Sequence, residues 1–220
     1  MSDKLAKLSL PDGQNVELPI IEGSEGEKGV DISRLRKETG HITIDPGFAN
    51  TGSCESNITF LNGEQGVLRY RGYPIEQLAT DSSFLEVAYL LIYGELPSSK
   101  EFENWSSSIT RHTLIHEDMK RFYDGFPRDA HPMAILSSAV SAVYTFYQEW
   151  DEPKDPEQQE LGIIRLLAKL PTLAAFSYKK SIGQPFIYPD NNLPYCANFC
   201  LLYTSPSPRD ATLSRMPSSA

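Results

Sequence analysis

The feature that most limits how this chain can fold is a change of hydrophobic period at Pro74. Before it, apolar residues alternate in short runs; after it they recur three and four apart, the spacing that lines one face of a helix. Two Ser-x-x-Glu boxes, Ser83 to Glu86 and Ser98 to Glu101, each open a run of helix formers. In such a box the hydroxyl and the carboxylate satisfy amides that a first helical turn leaves bare. The rest of the chain therefore reads as all-α. One helix carries the stripe Leu136, Val140, Val143 and Tyr147; another carries Ile163, Leu166, Leu167 and Leu170 and is expected to kink or end near Pro171. Both stripes are expected to need partner helices.

The first third is mixed. Lys4 to Leu10 and Asn15 to Ile21 read as a strand pair around a Pro11-Asp12-Gly13 turn. After a polar Gly/Glu loop, Asp31 is placed to cap a short helix from Ile32 to Lys37. Thr43-Ile44, Ile58 to Leu61 and Val67 to Tyr70 look like further strands, the last two joined through Asn62 to Gly66. The reading is thus mainly α, with a small mixed N-terminal β element over residues 1–70 and a helical region over 71–199. Trp150 to Gln158 is an acidic loop rather than a boundary.

Composition narrows the partners. With 220 residues, 40% hydrophobic and 22% charged, the chain can bury a core, and its formal charge of -9 would repel a phosphate backbone, so nucleic acid is not expected. Cys54, Cys196 and Cys200 follow no pairing pattern, and Met1-Ser2-Asp3-Lys4 lacks the apolar core of a secretory signal, which makes the cytoplasm the expected location. The uncharged stretch Pro132 to Gln148 is short for a bilayer and holds Ser137, Ser138, Ser141 and Thr145, so it is expected to be a core helix and no membrane span is assigned.

No complete catalytic set is assembled from the residues alone. His112 and His116 lie four apart with Glu117 adjacent, but the intervening Thr113, Leu114 and Ile115 lack the internal glutamate of a zincin and no third ligand is identifiable. No metal site is therefore assigned. Cys54 has an acidic neighbour, Glu55, which works against a thiolate. G-x-S-x-G and Gly-rich phosphate loops are missing. One cluster stands out: Arg165 and Lys169, four apart, and the pair Arg111-His112 on an earlier helix, with Tyr147 between them in sequence. Packed together they would make a cationic pocket for an anion. The alternative, which the residues alone favour, is a solvated helix face paired with acidic neighbours.

Long segments carry a family resemblance. Leu68-Arg69-Tyr70-Arg71-Gly72-Tyr73-Pro74-Ile75-Glu76-Gln77-Leu78-Ala79 and the run Phe84 to Pro97 closely resemble the citrate synthases. Asp45 to Phe48, Arg128 to Met133 and Ser181 to Pro189 continue the similarity in order. The resemblance implies the first helices of that family's large helical domain after the small β element, and, because the β element is present, the longer bacterial form: a homo-oligomer, a hexamer built from dimers, inhibited by NADH. It implies the substrates acetyl-CoA and oxaloacetate and no tightly held cofactor. The family's NADH site then falls on Arg111, His112, Thr113, Tyr147, Arg165, Lys169 and Asn191. The family's catalytic histidines, in His-Gly-Gly-Ala-Asn-like and Gly-His-Arg-like motifs, and its later aspartate are not matched by His41, His112, His116 or His131, so no catalytic residue is assigned and this chain is expected to be inactive alone. The alternatives are a non-catalytic helical module for oligomerisation or nucleotide binding, and a 2-methylcitrate synthase relative.

Residues 200–220 break the pattern. They are rich in Ser and Pro and lose apolar period after Tyr203, which predicts a disordered tail. Back-translated, Cys200 to Asp210 and Ser214 to Ala220 resemble a transposase-type sequencing adapter and its outer primer, with Ala211 to Leu213 at the place of a barcode. Phe199 is accordingly expected to be the last natural residue.

Overall fold

A computed structural model describes residues 4–147 and 155–204, so most of the acidic loop and most of the tail lie outside the described residues. The chain forms two compact units, Met1–Asn57 and Ile58–Ala220. This boundary differs from the one expected at residue 70, because the second sheet is built onto the helices that follow it.

In the first unit, β1 (Leu5–Ser9) and β2 (Asn15–Glu22) form the expected antiparallel pair, with Leu5 opposite Pro19 and Ser9 opposite Asn15. The Gly/Glu stretch supplies an unexpected third strand, β3 (Lys28–Val30), paired with the end of β2. Val16 and Leu18, two apart on one face of β2, are buried with Leu35 of α1 (Leu35–Thr39). The short helix starts later than expected, because the Asp31 carboxylate accepts from the Ser33 amide at 2.8 Å in a local turn instead of capping a helix at Ile32. That bond holds the Asp31 carboxyl below the usual carboxylate range. Thr43-Ile44 forms no ladder, and Ile44 is 85% exposed.

The second unit opens with β4 (Thr59–Asn62) and β5 (Val67–Tyr70), paired as expected, and a short β6 (Tyr73–Pro74). Arg71 and Gly72, at φ 50° and 89°, make the tight turn between β5 and β6. A left-handed conformation is costly for arginine. Its guanidinium compensates by donating to the Leu91 carbonyl at 3.0 Å, in the last turn of the helix two elements later.

Helices α2 (Ile75–Asp81), α3 (Phe84–Tyr93) and α4 (Ser99–Arg111) follow. Both capping boxes form: Ser83 and Ser98 accept from the Glu86 and Glu101 amides, and each glutamate returns the bond at 2.6 and 2.8 Å. After α5 (Met119–Asp124) and α6 (Pro132–Val143), the long α7 (Pro156–Ser181) runs through the unit and packs on α4, α5, α6 and finally α8 (Tyr195–Thr204).

Two apolar clusters meet α7. Ile115, Met119, Tyr123, Ile135, Ala139, Val143, Leu173 and Phe176 form the larger, where Phe176 stacks on Phe186 with centroids 4.3 Å apart. Leu85, Trp105, Ile109 and Ala168 form the second. The expected stripes need two corrections. On α6 the buried line is Ile135, Ala139 and Val143; Leu136 and Val140 are half-buried at its edge, because the small Ala139 lets α7 approach. On α7 the inner face is Ala168, Lys169, Thr172, Leu173, Ala175, Phe176, Ser177 and Lys179, while Ile163, Leu166 and Leu170 lie outside. By length and the mean hydropathy of 1.3 over its most apolar 18 residues, α7 would also suit a bilayer, but its inner face carries two lysines and two hydroxyls packed against protein.

Nor does α7 end at Pro171. A proline here removes the amide that would bond the Leu167 carbonyl. The Tyr195 hydroxyl takes its place, donating to Leu167 at 2.9 Å, while its ring stacks on Phe84 at 5.1 Å. Burial of that hydroxyl pushes its pKa up to about 12. Tyr195→Phe is expected to leave the carbonyl without a donor and to lower unfolding stability by about 1 to 2 kcal/mol, read from urea midpoints. An unchanged midpoint would mean the carbonyl finds another donor. Helix α8 itself extends past Phe199 to Thr204 with Leu202 buried against Ala175 and Ile187, so residues 200–204 are helical rather than disordered: Leu201, Leu202 and Tyr203 are still apolar enough to pack. Residues 205–220 lie outside the described residues.

Candidate functional site

Helix α4 ends at Arg111, and the next residues turn away toward α5. What fixes this turn is its backbone. Three successive carbonyls, those of His112, Thr113 and Leu114, each accept a hydrogen bond from α7: Lys169 Nζ donates to His112 at 2.8 Å and to Leu114 at 2.5 Å, and the Thr172 hydroxyl donates to Thr113 at 2.9 Å. Lys169 and Thr172 lie three apart on the inner face of α7, so one helical turn clamps one loop.

The lysine is 4% exposed, and among the described residues no carboxylate pairs with it. Burial first, and then the Arg165 guanidinium one turn earlier, bring its pKa down from 10.5 to about 8. Both cations lie over the ring of Tyr147, Arg165 Cζ at 4.8 Å and Lys169 Nζ at 5.1 Å from its centroid. A tyrosine face partly compensates a buried charge that has only neutral oxygen partners. Tyr147 is positioned by a 3-10 turn, Tyr144–Phe146, that extends α6.

Of the seven residues singled out in the sequence, Tyr147, Arg165 and Lys169 thus meet directly, and His112 joins them through its backbone. Its ring points elsewhere: Nδ1 donates to the Ser108 carbonyl at 2.7 Å. Thr113 and Asn191 also meet, the Thr113 hydroxyl lying 3.2 Å from both Asn191 Oδ1 and the Thr110 carbonyl. Arg111 is exposed on the last turn of α4 and makes none of the contacts that join the others. Thr172, which sequence reasoning passed over, holds the centre of the loop. His116, set beside His112 as a metal pair, stacks on Phe146 at 4.8 Å, so the two imidazoles have separate partners.

Beside this cluster, α4, α7, α8 and Pro189 enclose a cavity of about 10 Å³, lined by Thr110, Thr113, Thr172 and Asn198 among apolar side chains. It has room for one water at most and not for a substrate. Chemically, the arrangement can receive an anion: it offers a guanidinium, an ammonium with one N–H beyond its two carbonyl bonds, and neighbouring hydroxyl and amide groups.

Comparison with known proteins gives the setting. The family model for the citrate synthase C-terminal domain matches residues 47–216. The chain belongs to the citrate synthase family. Citrate synthase 1 of Mycobacterium tuberculosis is 54% identical over 201 residues, which cover 91% of this chain and 46% of that protein. The chain thus spans about half the length of the curated relatives it matches. The solved citrate synthase of Pyrobaculum aerophilum superposes with a TM-score of 0.66 at 28% identity, covering 86% of this chain and 46% of its own. A citrate synthase of Thermoplasma acidophilum, solved as a ternary complex with carboxymethyl coenzyme A and oxaloacetate, shares the fold with a TM-score of 0.64 at 21% identity, covering 73% and 42%. The family assignment agrees with the mainly α fold and the small N-terminal β element.

Proposed function

We propose that this chain supplies part of the large helical domain of a citrate synthase that condenses acetyl-CoA with oxaloacetate to citrate and CoA in the tricarboxylic acid cycle. In that enzyme, a cytoplasmic homo-oligomer of the hexameric bacterial type, the chain carries an NADH-inhibition site rather than the reacting groups. The observation that carries the site is the convergence of Arg165 and Lys169 on one ring, with Lys169 held, among the described residues, by carbonyls and by no carboxylate. Such a cation gains charge-assisted bonds from a pyrophosphate, whereas exposed pairs with carboxylates gain little. Arg165 and Lys169 would face the phosphates, with Arg111 and His112 at the rim and Thr113, Asn191 and Tyr147 toward the nucleosides. The chain's own residues supply no acid or base to the condensation. The adapter-like back-translation of the residues after Phe199 supports the further reading that those residues do not come from the gene; resequencing the source DNA tests it.

The site is tested by the pH dependence of NADH inhibition in the uninterrupted enzyme. Lys169, with a folded pKa of about 8, is charged below that pH and loses its proton as pH rises through it. A dianionic ligand favours the charged form, so binding should draw a proton near pH 8 and inhibition should weaken above it. Stability moves the other way. The folded pKa lies below the unfolded value of 10.5, so the unfolded chain binds more protons between these values, and this group's contribution to stability rises with pH across that window. Inhibition that is constant from about pH 7 to about pH 9 would remove Lys169 from the site.

A further inference from the structure

The small cavity between α4, α7 and α8 has polar walls whose hydrogens can be assigned one by one. A carbonyl only accepts and a backbone amide only donates. The Thr110 hydroxyl must therefore donate to the Ser106 carbonyl, the Thr172 hydroxyl to the Thr113 carbonyl and the Tyr195 hydroxyl to the Leu167 carbonyl, each at 2.9 Å. The Thr113 hydroxyl lies 3.2 Å from two oxygens, the Thr110 carbonyl and Asn191 Oδ1, and has one hydrogen to give. All four hydroxyls have thus given their hydrogens to other partners, and what each has left is lone pairs.

Asn198 is the opposite case. Its side chain belongs to a residue only 5% exposed, and its Oδ1 accepts the Asp190 amide at 3.1 Å, which fixes the orientation of the side-chain amide. Nδ2 then carries two N–H groups, and among the described residues no acceptor takes them. A buried N–H without a partner is costly. The same cavity therefore brings together hydroxyl oxygens without donors and an amide nitrogen without an acceptor, inside walls that are otherwise apolar, such as Pro171, Pro189 and Leu193.

We infer that this cavity is a binding site for one ordered water, which accepts from Asn198 Nδ2 and donates to two of the threonine oxygens, so that α4, α7 and α8 are joined through it. Size and chemistry agree. The cavity measures about 10 Å³, and on that measure a water needs roughly 10 to 15 Å³ and two to four polar partners. Water offers both a lone pair for the N–H and hydrogens for the hydroxyl oxygens. A halide would suit the amide but meet only lone pairs elsewhere; a metal or ammonium cation would suit the oxygens but meet the N–H; an apolar guest would leave all of these groups unmet. The site lies directly behind the clamped loop, since Thr113 belongs to that loop and Thr172 holds its centre. Asn198 thus reaches the loop from α8 through water, as Lys169 and Thr172 reach it from α7. Its polar walls all precede residue 200, so the same water is expected in the uninterrupted enzyme, whatever ligand the cationic cluster takes.

The test is a high-resolution crystal structure of the whole chain, with and without xenon under pressure. A single water peak should lie within about 3.2 Å of Asn198 Nδ2 and of the hydroxyl oxygens of at least two of Thr110, Thr113 and Thr172, and xenon should not enter. In solution, the methyl protons of these threonines should show cross-peaks to water with the sign of a long-lived bound molecule and not of bulk solvent. Asn198→Leu, which removes the donor, should lose the water. A cavity without a water peak, xenon in the wild-type cavity, an ion in its place, only bulk-type cross-peaks, or a water that stays unmoved in Asn198→Leu would overturn the inference.

Discussion

Assayed alone, the 220-residue chain is expected to release no CoA thiol from acetyl-CoA and oxaloacetate above the no-protein background. Condensation requires a positioned carboxylate to remove a methyl proton and positioned acids to polarise two carbonyls. Every histidine of the chain is bonded to its own backbone neighbourhood: His41 and His112 donate to carbonyls, and His116 and His131 accept amides. The cavity between α4, α7 and α8 contains no carboxylate and is of water size. Holding reactants and catalytic groups in register is worth about 7 to 11 kcal/mol, so its loss alone removes at least about five orders of magnitude in rate. Thiol release clearly above background would show that these residues do more than scaffold and bind.

What the sequence made legible is what acts locally. The boxes at Ser83 and Ser98 form because their partners lie three residues away on the same turn, so the letters carry the whole interaction. The period of α6 was also readable, but not its phase: whether Ile135 or Leu136 faces inward depends on how closely α7 approaches Ala139, a property of the pair and not of either helix. At Pro171 local rules predicted a kink or an end; the helix continues, and Tyr195, distant in sequence, provides the donor that the Leu167 carbonyl lacks. The exposed stripe Ile163, Leu166 and Leu170 has helical spacing too, yet the buried face of α7 holds Lys169 and Thr172, which hydropathy alone would put outside.

The candidate site shows the same division. Arg165 and Lys169 were visible as a basic pair four apart, beside Arg111-His112 and Tyr147, and the family resemblance added Thr113 and Asn191. Their convergence was not visible, because it rests on the carbonyls of residues 112–114, and a carbonyl is the same whatever the side chain. Thr172 left no signal for that reason, and Arg111, conspicuous as a letter beside His112, is exposed on the last turn of α4.

In the uninterrupted enzyme, Arg165→Ala is expected to weaken NADH inhibition by tenfold or more. Charge-assisted bonds of this kind are worth roughly 1.5 to 3 kcal/mol each, which converts to a shift of about one to two decades. The variant also removes the cation over Tyr147 and relieves Lys169 of a like charge, which should raise the lysine's pKa from about 8 and partly offset the loss near that pH. Lys169→Ala should weaken inhibition as well, but it strips donors from the His112 and Leu114 carbonyls, so it loses stability alongside affinity. Arg165→Ala is therefore the cleaner probe of ligand binding. The decisive measurement is the NADH inhibition curve of wild type and Arg165→Ala at about pH 7 and saturating substrates. A midpoint moved by tenfold or more with uninhibited turnover unchanged is the predicted result; curves that overlay would reduce the cluster to a clamp that holds α4 against α7.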